Sequence, residues 1–189
     1  MILQFNDKLI PGTKLKQSDM DGLTGLDFLK KVFFISDGVM LTQIRDISGI
    51  DSSTLQNWTK RGWVATSRLK KYNMDQVAHI LIINMLRSCM QLDKIAFLIQ
   101  YINGDIEDAS DDIIRDSELY DYICRILDLM KDDSNELVKI DQIIEDVTKD
   151  YVEPYVGSRK RLNAALKVIV VTYCASLMKH YADGLIENL

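Results

Sequence analysis

The sequence predicts an all-α fold with one small β wing, and three observations carry that expectation. Two prolines and nine glycines in 189 residues are too few for a many-turned β protein. Apolar residues recur at helical spacing through most of the chain, beginning with Leu26, Leu29, Val32 and Phe33. One stretch departs from that period: Trp63-Val64 are β-formers, a basic loop follows, and Tyr72 can close a short hairpin.

Taken in order, residues 1–24 read as an irregular arm, with turns at Pro11-Gly12 and Asp21-Gly22. A short amphipathic helix is expected over 25–35, stopped by Asp37-Gly38. Two short helices follow closely. Thr42 is the expected N-cap of the first, Ile44 and Ile47 form its apolar face, and Gly49 breaks it. Ile50 sits at the turn, and Asp51, Ser52 and Ser53 supply a second N-cap. The second helix runs to Arg61 and ends at Gly62. Two short helices around a tight glycine turn mark a helix-turn-helix. Leu55 and Trp58 should pack inward, which leaves Ser52, Ser53, Gln56, Asn57, Lys60 and Arg61 outside. Those are side chains that read base edges and hold phosphates. The wing, residues 65–72, concentrates Arg68, Lys70 and Lys71 at its tip, placed to meet a sugar-phosphate backbone. A helix over 74–90 is apolar almost all round and should be the buried spine. Another starts at Leu92 and stops at Asn103-Gly104.

Residues 105–189 read as helices. One can start at 108–111, a break is expected at 131–135, another helix covers 136–151, and the last covers about 158–185. The many carboxylates here fall beside apolar positions at helical spacing, which puts them on solvated faces. His79 and His180 are read as structural. Tyr120, Tyr122, Tyr151, Tyr155 and Tyr173 are read as packing residues rather than an effector pocket, and Arg159-Lys160-Arg161 as a surface rather than a second phosphate contact. Cys89, Cys124 and Cys174 lie far apart in apolar patterns, as buried reduced thiols do. No metal-ligand spacing, phosphate loop or nucleophile motif is present, so neither a cofactor nor enzyme chemistry is expected. The first residues do not read as a signal peptide. No apolar run reaches the roughly 18 residues that span a bilayer. A cytosolic location, away from membranes, is expected.

The net charge of −5 is unevenly spread. Residues 40–72 hold six cations against Asp46 and Asp51, a local charge of +4, whereas carboxylates dominate from Asp105 to Glu153.

Leu41-Thr42-Gln43-Ile44, Gly49-Ile50, Thr54-Leu55, Trp58, Gly62-Trp63-Val64, Arg68, Tyr72, Val77 and Leu92-Asp93-Lys94-Ile95 follow one another as in the MerR family of DNA-binding domains, which this stretch resembles. The chain as a whole also resembles uncharacterised bacterial proteins that join such a domain to a helical C-terminal half. The resemblance implies three parts: an arm and short helix at 1–38, a winged helix-turn-helix at 39–104, and a helical dimerisation or effector domain at 105–189. It implies that Ser53, Gln56, Asn57, Lys60 and Arg61 face the major groove and its phosphates. Arg68, Lys70 and Lys71 would lie on the wing with Tyr72 near the DNA backbone. Ser52 and Thr42, at the heads of the two helices, complete the set. The chain departs from the family at Gln56, where an Arg is usual, at Asn57-Trp58 in place of an aromatic pair, and at Arg45 in place of a small residue. It also lacks a heptad run at 104–120, where family members dimerise. The expected function is a DNA-binding transcriptional regulator acting on double-stranded DNA as a homodimer, with an unidentified small-molecule effector left open. The alternative is a protein-interaction module that keeps the winged-helix scaffold without binding DNA.

Overall fold

A computed structural model describes residues 9–34, 36–105, 110–130, 136–187 and 189. The chain is mostly helical with a small two-stranded sheet. In order come α1 (Gly25–Val32), β1 (Val39–Met40), α2 (Leu41–Ser48), α3 (Ser52–Lys60), β2 (Lys71–Tyr72), α4 (Met74–Leu86), α5 (Leu92–Asn103), α6 (Asp116–Leu129), α7 (Ile140–Val147) and α8 (Ser158–Ile186). Single 3-10 turns occupy Gln17–Met20 and Glu136–Lys139.

The expected spine is α4. Asn73 caps it, accepting from the Gln76 backbone N–H, while the Gln76 side chain accepts from the Asn73 N–H. Nine of its residues are buried, Val77 to Ile83 together with Met85 and Leu86, because α2, α5, α6 and α8 all pack around it. Helix α6 lies across both α1 and α4, and α7 and α8 close over it. The buried side chains form one cluster that runs from Ile10 to Val170, across residues 38/39 and 104/105 alike. The arm is threaded into this cluster. Ile10 is fully buried, and the Pro11 carbonyl accepts from the Tyr120 hydroxyl at 2.7 Å. Asn84 on α4 donates to the carbonyls of Gly12 and Ser48.

Several expected boundaries move. The first helix stops at Val32 and the spine at Leu86, short of residues 35 and 90. The expected helix over 136–151 is a 3-10 turn followed by the shorter α7. The expected break at 131–135, and residues 108 and 109 of the helix start expected at 108–111, lie outside the described residues; residues 110 and 111 are not helical, and α6 begins at Asp116. Cys89 is exposed rather than buried, because the chain has already left the helix there. Burial pushes the Cys124 thiol up to about 12. Tyr120, Tyr122 and Tyr151 do act as pins, whereas Tyr155 is exposed rather than packed. Tyr151 donates to the Ile113 carbonyl at 2.8 Å, and Tyr122 reaches Asp150. Arg159 and Arg161 are not a plain surface. Arg159 donates to the carbonyls of Thr148 and Tyr151, and Arg161 to that of Ile102 at the end of α5. Among the described helices, α8 is long and apolar enough to cross a membrane by length and composition, contrary to the expectation that no stretch is. One side of it, Leu162, Ala165, Leu166, Ile169 and Val170, is packed inside the fold.

Candidate nucleic-acid interface

Helices α2 and α3 are joined by Gly49, Ile50 and Asp51. Thr42 does not cap α2. The helix starts one residue earlier, at Leu41, and the Gln43 side chain accepts from the Met40 N–H at 2.8 Å. Thr42 is left exposed in the first turn. Gly49 ends α2, its N–H donating to the Arg45 carbonyl, and Ile50 drops into the core. Asp51 caps α3, taking the Thr54 N–H at 2.7 Å and the hydroxyls of Thr54 and Ser53. Those donors, Ser53 first, hold its carboxyl well below the usual carboxylate range. Ser53 is therefore turned into the cap, and Ser52 is half-buried.

Leu55 and Trp58 are buried, as their spacing predicts, and they fix which side of α3 faces out. Gln56, Asn57, Lys60 and Arg61 are all exposed. Gln56, Asn57 and Lys60 fall within one turn of one another on the same face. Helix α3 ends in a Schellman motif: Trp63 N–H donates to the Trp58 carbonyl and Gly62 N–H to that of Thr59. Gly62 takes φ +72, a conformation a side chain would strain. The Arg61 guanidinium lies over the Trp63 ring, 5.0 Å from its centroid.

The β element differs from the expected hairpin. Trp63-Val64 form no strand, and Val64 is buried. Instead β2 pairs antiparallel with β1, from before α2, with Val39 opposite Tyr72 and Met40 opposite Lys71. The tip is a two-residue turn closed by reciprocal backbone bonds between Arg68 and Lys71, at 3.1 and 2.8 Å. Leu69 and Lys70 hold it with φ of +50 and +62. Arg68, Leu69, Lys70 and Lys71 are exposed. Tyr72, expected near a DNA backbone, is buried: strand alternation turns it to the core while Lys71 points out. Among the described residues, no carboxylate pairs with Lys60, Arg61, Arg68, Lys70 or Lys71, whereas Arg45 lies 3.6 Å from Asp46.

Sequence reasoning left out the device that braces this region. His79 on α4 sits buried between Trp63 and Asp116. Its Nδ1 is 2.9 Å from an Asp116 carboxylate oxygen, and its Nε2 is 2.9 Å from the Trp63 carbonyl. Both neighbours offer acceptor oxygens, so a doubly protonated ring can donate from both nitrogens at once. Burial alone would lower its pKa. The charge and hydrogen bond of Asp116, helped by the Trp63 carbonyl, raise it instead. An adjacent bond ties Ser117 to Asp75 at 2.6 Å. Thus α6 holds the start of α4 and the exit of α3 in place. Among the described residues, no group of His, Cys, Asp and Glu could hold a metal ion.

A family model described as a domain of unknown function, DUF1836, matches residues 28–123, just over half of the chain. The chain belongs to the DUF1836 family. The DUF1836 span runs from α1 into α6, so it contains the α2–α3 pair, the basic turn, and both partners of the His79–Asp116 brace. This chain is also similar to the uncharacterized protein YkrK of Bacillus subtilis (strain 168), with 29% identity over 94 residues. That similarity covers 48% of this chain and 40% of YkrK, so the chain spans less than half the length of that relative. No solved structure matches. The expected MerR membership is thereby overturned: the matching family is DUF1836. The residues that carried the resemblance, a glycine turn with Ile50, Leu55 and Trp58 beneath it, are what any two short helices need to pack on a spine. The β element, built from a strand ahead of α2, is also not the hairpin expected from Trp63-Val64 and Tyr72.

Proposed function

We propose that this DUF1836 chain is a non-enzymatic, DNA-binding transcriptional regulator that recognises double-stranded DNA through α3 and the Arg68–Lys71 turn. The observation that carries this reading is the outer surface of residues 56–71. It offers five exposed cations that pair with no carboxylate among the described residues, and two exposed amides, around a helix whose opposite side is pinned by Leu55 and Trp58. In this reading α2 and α3 act as a helix-turn-helix with α3 in the major groove. Gln56 and Asn57 suit the adenine edge, which presents a donor and an acceptor side by side. Lys60, Arg61 and the turn neutralise phosphates and set the register.

The test is binding of this chain to fluorescent genomic duplexes over a salt series. Five phosphate contacts give a slope of log affinity against log salt of about −4.5 per copy. Replacing Arg68, Lys70 and Lys71 together with Ala reduces it by about 3. Q56A and N57A shift sequence preference and leave the slope unchanged. No salt-sensitive binding to any duplex defeats the proposal. A second reading, a protein-interaction module on the same scaffold, is favoured by one feature: Leu69 at the turn's tip is 96% exposed. Under it, the triple Ala variant keeps its partner and Leu69→Asp loses it.

A further inference from the structure

The last helix is apolar on two opposite sides. Leu162, Ala165, Leu166, Ile169 and Val170 face the core and are fully or almost fully buried. On the far side, Ala164, Val168, Val171, Ala175, Met178, Ala182 and Leu185 follow one another at spacings of four and three, and every one of them is exposed. Val168 and Val171 are 44% exposed, Met178 52% and Leu185 53%. A strict 3.5-residue period is the seam of a coiled coil, since it keeps one stripe facing a partner helix. The seam extends about 32 Å at 1.5 Å per residue. A soluble chain rarely leaves so long an apolar stripe open without a partner.

We infer that this seam is where a second copy of the chain docks, α8 against α8, antiparallel about a two-fold axis. Three observations select that occupant. With the axis between Ala175 and Met178, each Ala175 faces Met178 of the second copy, each Val171 faces Ala182, and each Val168 faces Leu185, so small residues meet large ones where the seam alternates. A parallel pair would set Ala175 on Ala175 and Ala182 on Ala182 and leave gaps in both layers. Lys167 and Lys179 lie on opposite flanks of the seam, so no two lysines meet. Each already holds a carboxylate at 2.7 Å, Asp141 and Asp183 respectively. With Tyr181 and Ile186 on the same side, the exposed area is roughly 650 Å² per copy, within the range of a standard two-fold interface.

This inference does not depend on DNA binding and is tested without it. Sedimentation equilibrium of this chain at micromolar concentration should give twice its 21.7 kDa mass. Ala175→Glu with Met178→Glu halves the measured mass and leaves the helical circular dichroism unchanged, because both positions are exposed. His180→Glu, exposed on another side of the same helix, leaves the dimer intact. A wild-type monomer overturns the inference, as does a dimer that survives A175E/M178E. So does a monomer that pellets with phosphatidylcholine vesicles, since it would show the stripe facing lipid instead.

Discussion

Replacing His79 with Ala should destabilise this protein by about 3–5 kcal/mol near pH 6, the cost of removing one partner from a buried charge pair. The reasoning is local. Asp116 is largely shielded from water, and the His79 ring lies 2.9 Å away, a cation when protonated. Among the described residues it otherwise takes one long bond, from Asn103 at 3.4 Å. Truncation also strands the Trp63 carbonyl. The linkage has a definite sign. The folded pKa of His79 is raised above its unfolded value, so the pair's contribution is complete below about pH 6.5. It declines as pH rises through the folded pKa, where the ring gives up the proton that only the folded state retained.

Urea unfolding of wild type and H79A from pH 5.5 to 9 separates this from general pH effects, because other titrating groups are common to both proteins. The gap between the two should be widest at low pH and narrow as pH rises. The Trp58 and Trp63 fluorescence reports unfolding close to the brace. A gap below about 1 kcal/mol at pH 6, or two pH profiles that run parallel, would refute the assignment of a buried imidazolium.

Three further outcomes follow from the geometry. Leu69→Asn with Lys70→Gly relieves two side chains held at positive φ, and should stabilise the turn by about 1 kcal/mol, raising Tm by about 2–4 °C in a thermal melt. Gly12→Ala should cost about 3 kcal/mol in urea unfolding, since Gly12 has φ +75 and a Cβ there would lie 2.3 Å from the Leu81 carbonyl oxygen. Asp51→Ala should fray the start of α3, read as faster amide exchange at Thr54. Asp51's folded pKa is depressed, so its contribution exists above its unfolded pKa and is lost on acidification. The variant should therefore lose less stability than wild type as pH falls below about 4.

What was legible in the sequence is what local periodicity and capping determine. The α3 face was readable because Leu55 and Trp58 stand three apart, and the spine because residues 77–86 are apolar on every side. Other features depend on distant parts of the chain and leave no local mark. Tyr72 looked like a hairpin end, but its strand partner is Val39, on the other side of both short helices. His79 looked like a lone core histidine, and Asp116 is 37 residues away. The α8 seam was hidden differently: its far side matches its core side in polarity, so the helix reads simply as apolar.

The limits of the DUF1836 match make physical sense in these terms. A pair of helices as short as α2 and α3, eight and nine residues, buries too little to hold its own angle. Its orientation is set by contacts made elsewhere: Trp63 to His79, His79 to Asp116, and Asp75 to Ser117. All of those residues fall between 28 and 123, and the span ends inside the helix that supplies the last of them. The exposed seam of α8 lies wholly outside it. The matched span is therefore a braced pair of short helices together with its brace. If the proposed function holds, weakening that brace with H79A should reduce affinity for DNA, although His79 itself is buried. The A175E/M178E seam variant should instead leave each copy's intrinsic salt slope unchanged and remove only the coupling between two copies on adjacent sites.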